Sequence, residues 1–206
     1  MTKVITIGRQ FGSGGHDVGE LIAKELGFSF YDKELVEMAA KKSNISAEMV
    51  KELDEKATSS LLYSLASGSF SLRGDVGSLY YEMPLNDKLF FAQADVIKSV
   101  AKNENCVIVG RCADYVLEEE DVDLYNVFIY APLEYRIERV KNALGLTDKK
   151  TKDRILKTDK QRKTYYGYYS NREWGKMSNY DICINSQKFG IEKAAKMIVD
   201  YIRGND

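Results

Sequence analysis

The chain has one histidine, His16, in 206 residues. A metal centre built on several imidazoles has no ligands to draw on. Cysteine is nearly as scarce: Cys106, Cys112 and Cys183 are an odd, scattered set. Cys106 and Cys183 sit inside apolar runs, which suits reduced core thiols in a cytoplasmic protein. No run approaches the ~18 apolar residues of a membrane span. The formal net charge is only −1. It gives no global pull toward nucleic acid or membrane, so any anion site must come from local placement of charge. Met1-Thr2-Lys3 leads straight into a strand, without the charged and apolar regions of a signal peptide. The expectation is a soluble protein, monomeric or homodimeric.

What is present is an alternation of strands and helices. Val4–Ile7 reads as a first strand. Val18, Leu21, Ile22 and Leu26 recur at helical spacing, and Gly27 stops that helix. Further strands are expected at 28–31, 106–109, 126–130 and 180–184. Helical patterns fill 33–57, 88–103, 133–144, 148–169 and 191–202. Residues 58–87, rich in Ser, Gly and Tyr, are the least regular part. This order predicts the α/β class with a parallel sheet. Such sheets bind ligands at the carboxyl ends of their strands.

The first strand end is the most informative. Gly8-Arg9-Gln10-Phe11-Gly12-Ser13-Gly14-Gly15-His16 places four glycines in eight residues, ahead of a helix. Glycines let backbone N–H groups come close to an anion, and the helix start adds its unpaired N–H groups and dipole. Gly12, Ser13, Gly14, Gly15 and His16 are the candidate phosphate-binding residues. A phosphate loop of the usual kind ends in Gly-Lys-Ser/Thr. Here the lysine's place is Gly15 and the hydroxyl's is His16. Arg9, inside the same stretch, offers the missing charge from another direction.

Other strand ends carry further candidates. Asp32 follows the second strand as a helix cap or as a carboxylate for a substrate hydroxyl. Gly110-Arg111 follows the third, where glycine admits a close ligand and arginine offers a fork suited to phosphate. After the fourth, Arg136 and Arg139 share one helical face. The segment 148–163 holds eight Lys/Arg against three Asp. It contains Asp159 and Arg162 on one face, followed by Tyr165-Tyr166. A hinged basic segment of this kind can close on phosphates and expel water.

Taken together, these residues resemble the cytidylate-kinase-like branch of the P-loop nucleoside monophosphate kinases. The resemblance runs over nearly the whole length. It rests on Gly8–Gly15, Phe30-Tyr31-Asp32, Val109-Gly110-Arg111-Cys112-Ala113-Asp114-Tyr115, Arg136, Asp159–Arg162 with Tyr165-Tyr166, and Tyr180–Ser186. It implies a three-layer P-loop NTPase fold, with a parallel five-stranded sheet flanked by helices. It implies a single domain over 1–206, with an inserted nucleoside-monophosphate-binding lobe near 33–87 and a lid near 146–172. In this family ATP gives its terminal phosphoryl group to CMP or dCMP with Mg²⁺. By position, Asp32 and Arg111 resemble acceptor-binding residues. Arg136 and Arg162 resemble arginines around the transferring group, and Asp159 resembles the lid aspartate. With Arg9, these last three form the candidate catalytic set; the metal ligands are unassigned. The chain departs from the family in lacking the lysine and its neighbouring hydroxyl, and in carrying Cys112 where an acid commonly follows the arginine.

The leading expectation is therefore ATP-dependent phosphorylation of a nucleoside monophosphate. A nucleotide-binding sensor or scaffold with little turnover is the alternative that the absent lysine favours. A kinase of a non-nucleotide metabolite is a third. A nucleic-acid partner is not expected, because the basic residues gather in one segment.

Overall fold

The computed structural model describes residues 1–42 and 84–204. Five strands form one parallel sheet: β1 (Lys3–Arg9), β2 (Ser29–Tyr31), β3 (Cys106–Val109), β4 (Asp123–Tyr130) and β5 (Ile182–Asn185). Their spatial order is β2-β3-β1-β4-β5. The chain runs from β1 out to β2, returns to β3, then crosses to β4. The order thus reverses between β3 and β1, where a crevice opens at the strand ends. Ile7 pairs with Val109 there, and Arg9 with Ile129 on the other side of β1.

Among the described residues the α-helices are α1 (Gly15–Leu26), α2 (Glu34–Lys42), α3 (Leu85–Asn103), α4 (Ala113–Val116), α5 (Leu133–Leu144), α6 (Asp148–Ser170), α7 (Ser186–Phe189) and α8 (Ile191–Arg203). Strand residues alternate between faces. Ile5, Ile7, Val107, Val109, Val127 and Ile129 meet Val18 and Ile22 of α1 and Ala194, Ile198 and Ile202 of α8 in one buried cluster. Burying each such aliphatic side chain contributes about 1.5–3 kcal/mol. On the opposite face Phe128 meets Trp174 at 5.4 Å and Tyr180 at 4.8 Å between ring centroids. This is the three-layer P-loop fold.

Contacts divide the chain into two units: one of Met1–Asp32 with Ile97–Asp206, which holds the sheet, and one of Lys33–Val96. In the second, α2 buries Leu35, Val36 and Ala39, and α3 up to Val96 buries Leu89, Phe90 and Val96. The expected helical pattern over 43–57 and the irregular stretch over 58–83 lie outside the described residues, while 85–87, also expected to be irregular, open α3. Among those described, no helix is long and apolar enough to cross a membrane.

Several boundaries differ from the sequence reading. β1 continues through Gly8 and Arg9, because their backbone still pairs with Phe128 and Ile129. Arg9 is therefore the last residue of a rigid strand and not part of a loop. β4 begins at Asp123, three residues early, since Lys3–Ile5 extend the ladder there. β5 begins at Ile182 and ends at Asn185, later than the 180–184 expected.

Candidate active site

The turn after β1 is held from several sides. The Gln10 N–H donates to the Ile129 carbonyl at 3.0 Å, and the Ala131 N–H donates back to Gln10 Oε1 at 3.1 Å. Ser13 is fully buried. Its N–H donates to the Gln10 carbonyl (3.2 Å), and its hydroxyl lies between the carbonyls of Gln10 and Ile129 (2.8 and 3.0 Å). Ser13 thus shapes the turn from inside. Ser186 Oγ donates to the Ser13 carbonyl at 2.6 Å. Gly14 precedes α1 with φ 81°, where only glycine fits: a Cβ there would stand 2.5 Å from Ile191.

The first backbone bond of α1 runs from the Val18 N–H to the Gly14 carbonyl at 3.0 Å. The N–H groups of Gly15, His16 and Asp17 therefore have no acceptor within the helix. Gly12, Gly14, Gly15, His16 and Asp17 line a cavity of about 250 Å³ with Arg9, Asp32, Arg139 and Arg162. Helix amides, a positive dipole end and arginines on one hollow suit a polyphosphate.

Arg9 crosses this hollow between two glycines. Its Cβ and Cγ lie where a side chain on Gly15 would start, and its guanidinium lies where one on Gly110 would. Its Nη2 is 3.7 Å from Asp32 Oδ1, while Asp32 Oδ2 pairs with His16 Nδ1 at 2.8 Å. The His16 ring also meets Phe30 edge-on at 5.3 Å. Arg162, on α6, donates to the Arg9 carbonyl at 2.9 Å and lies over the Phe11 ring.

The end of β3 is conformationally unusual. Gly110, Arg111 and Cys112 have φ of 77°, 58° and 54° in succession. The left-handed region costs a non-glycine residue about 1–2 kcal/mol. The turn sets Arg111 beside a second hollow, of about 60 Å³, lined also by Arg9, Arg162, Asp114, Tyr166, Trp174 and Tyr180. Arg9 and Arg162 line both hollows. Burial is the largest cause that lowers the Arg9 pKa, to about 9; Arg162 and Arg111 lower it too, and Asp32 opposes them. The Arg162 pKa is also lowered, chiefly by burial. Crowded, desolvated cations are stabilised by an anion among them.

Arg136 and Asp159 stand elsewhere. Arg136 is 6% exposed; its Nε donates to the Ala131 carbonyl (3.0 Å), and its Nη1 to the Phe11 carbonyl (3.1 Å) and Asp159 Oδ2 (2.5 Å). Asp159 Oδ1 accepts the Phe11 N–H at 2.8 Å. The pair bolts α5 and α6 to the turn and lines neither hollow. The structure thus brings Arg9, Arg111, Arg162, Asp32 and the Gly12–His16 stretch together. It gives Arg136 and Asp159 a supporting position. Sequence reasoning gave no role to Gln10, Asp17, Asp114 or Trp174. Asp17 pairs with Arg139, and Asp114 accepts from the Tyr166 hydroxyl at 2.7 Å. Only the one-turn spacing of Arg139 from Arg136 hinted at any of these.

A turn of this kind between β1 and α1, in a sheet of order 2-3-1-4-5, defines a P-loop kinase fold. Residues 4–188 match the model of the cytidylate kinase-like family, and the chain belongs to that family. A cytidylate kinase of Methanobrevibacter smithii is 23% identical over 200 residues, covering 97% of this chain and 98% of the relative. An uncharacterized protein of Eubacterium ventriosum has a solved structure that superposes with a TM-score of 0.71 at 28% identity, covering 99% of each chain. A shikimate kinase of Bacteroides thetaiotaomicron shares the fold, with a TM-score of 0.53 at 16% identity over 98% of each chain.

Proposed function

We propose that the protein transfers the terminal phosphoryl group of ATP to a nucleoside monophosphate, CMP or dCMP foremost, in the cytoplasm. The observation that carries this reading is the convergence of Arg9, Arg111 and Arg162 on two adjoining hollows, beside the amides at the start of α1. Phosphoryl transfer asks little covalent work of a protein; it needs positioning and charge stabilisation. The larger hollow receives the donor polyphosphate on the Gly12–His16 backbone. Arg9 and Arg162, in the wall common to both hollows, neutralise charge on the group in transit. Arg111 faces the acceptor. Mg²⁺, carried in with ATP, would add charge neutralisation between the phosphates. Arg136 and Asp159 keep the turn and α6 in register, so that Arg162 arrives in place.

Arg9 takes over the part of the absent lysine in this reading. Losing one well-placed donor costs ~10²–10³-fold in rate. An arginine fixed at a strand end recovers that without side-chain reordering. The experiment is a coupled ADP-release assay over a panel of nucleoside monophosphates, with shikimate and gluconate as hydroxyl-bearing comparators. Release with CMP or dCMP supports the reading; release only with a hydroxyl acceptor moves the assignment to a metabolite kinase.

A sensor without turnover remains as a second reading, favoured by one observation: α1 opens with Gly15 where a phosphate loop carries its lysine. Calorimetry that finds ATP bound, with no product from any acceptor, would select it.

A further inference from the structure

The acids around the donor hollow are already committed to side-chain partners. Mg²⁺ takes oxygen ligands and in phosphotransfer sites is held by one or two protein groups besides phosphate. In P-loop NTPases those groups are the hydroxyl after the loop lysine and an acid on a neighbouring strand. Here the first place is His16, whose Nδ1 is turned to Asp32 at 2.8 Å. The end of β3, beside β1, reads Val109-Gly110-Arg111-Cys112, with no acid among these four residues.

The remaining oxygens follow the same pattern. Asp32 is shared by His16 and Arg9, and Asp17 is tied to Arg139. These two are the carboxylates that line the donor hollow among the described residues. Asp159 is taken by Arg136 and the Phe11 N–H. The Ser13 hydroxyl is turned inward, onto carbonyls. No group of three His, Cys, Asp or Glu that could hold a metal occurs among the described residues. The donor set does not fit a protein-anchored Mg²⁺.

We infer that the described residues of the donor hollow contribute no ligand to a metal, and that side-chain cations replace the protein-held ion there. His16, clamped by Asp32, fills the place of the metal-binding hydroxyl. Arg9 and Arg139 occupy the acids that would otherwise face the metal. Any Mg²⁺ that enters travels on the nucleotide, held by phosphate and water alone. The inference rests on the nucleotide reading above and sharpens it, by assigning charge neutralisation at the donor site to residues of the chain.

Calorimetry of ATP with the full chain, in Mg²⁺ and in EDTA, tests it. The expected affinities agree within about threefold. His16→Ser supplies a hydroxyl and releases one oxygen of Asp32; in this variant Mg²⁺ should tighten ATP binding about tenfold or more. Thermal melting checks that the variant is folded, and Asp32→Asn, which removes the acid, should keep binding metal-insensitive. Manganese titration followed by electron paramagnetic resonance should show no uptake by the nucleotide-free protein. Wild-type binding tightened tenfold by Mg²⁺, manganese uptake without nucleotide, or a folded His16→Ser that stays metal-insensitive would each overturn the inference. The absence of ATP binding in both buffers would instead strike the nucleotide reading itself.

Discussion

The stem of Arg9 lies directly over the Cα of Gly15, in the space where a side chain on residue 15 would begin. Gly15 is an ordinary first-turn helical residue, so its backbone does not demand glycine. Space does. The absence of a lysine at 15 and the presence of an arginine at 9 are therefore one structural fact. The arginine at the end of β1 fills the space that a side chain at the start of α1 would need.

The exchange should be reversible by a pair of substitutions. Gly15→Lys alone forces two side chains into one space, and overpacking of this kind costs about 1–3 kcal/mol. Arg9→Ala alone should lower phosphotransfer ~10²–10³-fold. The double variant Arg9→Ala/Gly15→Lys should regain most of both losses. Melting curves and ADP release on the four proteins give the cycle. Wild-type phosphotransfer by Arg9→Ala, in an active parent, would sink the role of Arg9.

The Arg136–Asp159 pair predicts a different signature. Both side chains are largely buried, 7% and 15% exposed. Removing one partner of a buried pair leaves an uncompensated charge and costs about 3–5 kcal/mol. Arg136→Met should therefore lose stability first, seen as a lower urea midpoint. Asp159→Asn retains an oxygen for the Phe11 N–H and should lose less. A fully stable Arg136→Met with abolished turnover would instead put Arg136 among the groups that touch phosphate.

Much of this was legible beforehand. The strand–helix alternation and apolar spacing of α1, α5 and α8 announce a parallel sheet. The glycines after β1 and the arginine after β3 mark its crevice. The division of labour among the arginines was not legible. Arg9, Arg136 and Arg162 carry the same side chain, and periodicity cannot tell one that bonds carbonyls from one that lines a hollow. That difference is set by which backbone groups fold against each, over separations of 125 residues for Arg136 and Phe11. The pairing of Asp32 with His16 was hidden for the same reason, since it joins the end of β2 to the start of α1.

The charge state of Arg9 sets a pH expectation. Its folded-state pKa, about 9, lies well below the ordinary arginine value, chiefly through burial. Below about pH 9 both folded and unfolded chains hold the proton, and the cost of crowding is present in full. Above about pH 9 the unfolded chain holds more protons than the folded one, so stability from this group rises with pH. A bound polyphosphate offsets the crowding only while Arg9 is charged. The rise in melting temperature caused by ATP should therefore shrink as pH passes 9, and Arg9→Ala should flatten that dependence. An ATP-induced shift that stays constant to pH 10 would contradict this.

Asp114 gives the opposite sign. Its pKa is raised, chiefly by burial, with the Tyr166 hydroxyl opposing. The folded chain keeps the proton where the unfolded chain has lost it, so this group's contribution falls as pH rises through the carboxylate range. Asp114→Asn keeps an oxygen for Tyr166 and removes the buried charge. Urea midpoints at pH 4 and 7 should show a stability change near zero at the lower pH and a gain at the higher.

Arg111 is where stability and chemistry oppose each other. Its φ of 58° follows Gly110 at 77° and precedes Cys112 at 54°. Strain of this kind persists only where surrounding structure enforces it, and here it sets a guanidinium beside the hollow it shares with Arg9 and Arg162. Asparagine accepts the left-handed region more readily than arginine. Arg111→Asn should therefore keep or raise stability, by up to about 1 kcal/mol, while removing one of three cations. If the acceptor meets Arg111, its KM should rise steeply with that for ATP little changed. Equal loss of apparent affinity for both substrates would place Arg111 on the donor side. An unchanged KM for both, in a protein no less stable, would make the left-handed turn a matter of packing alone.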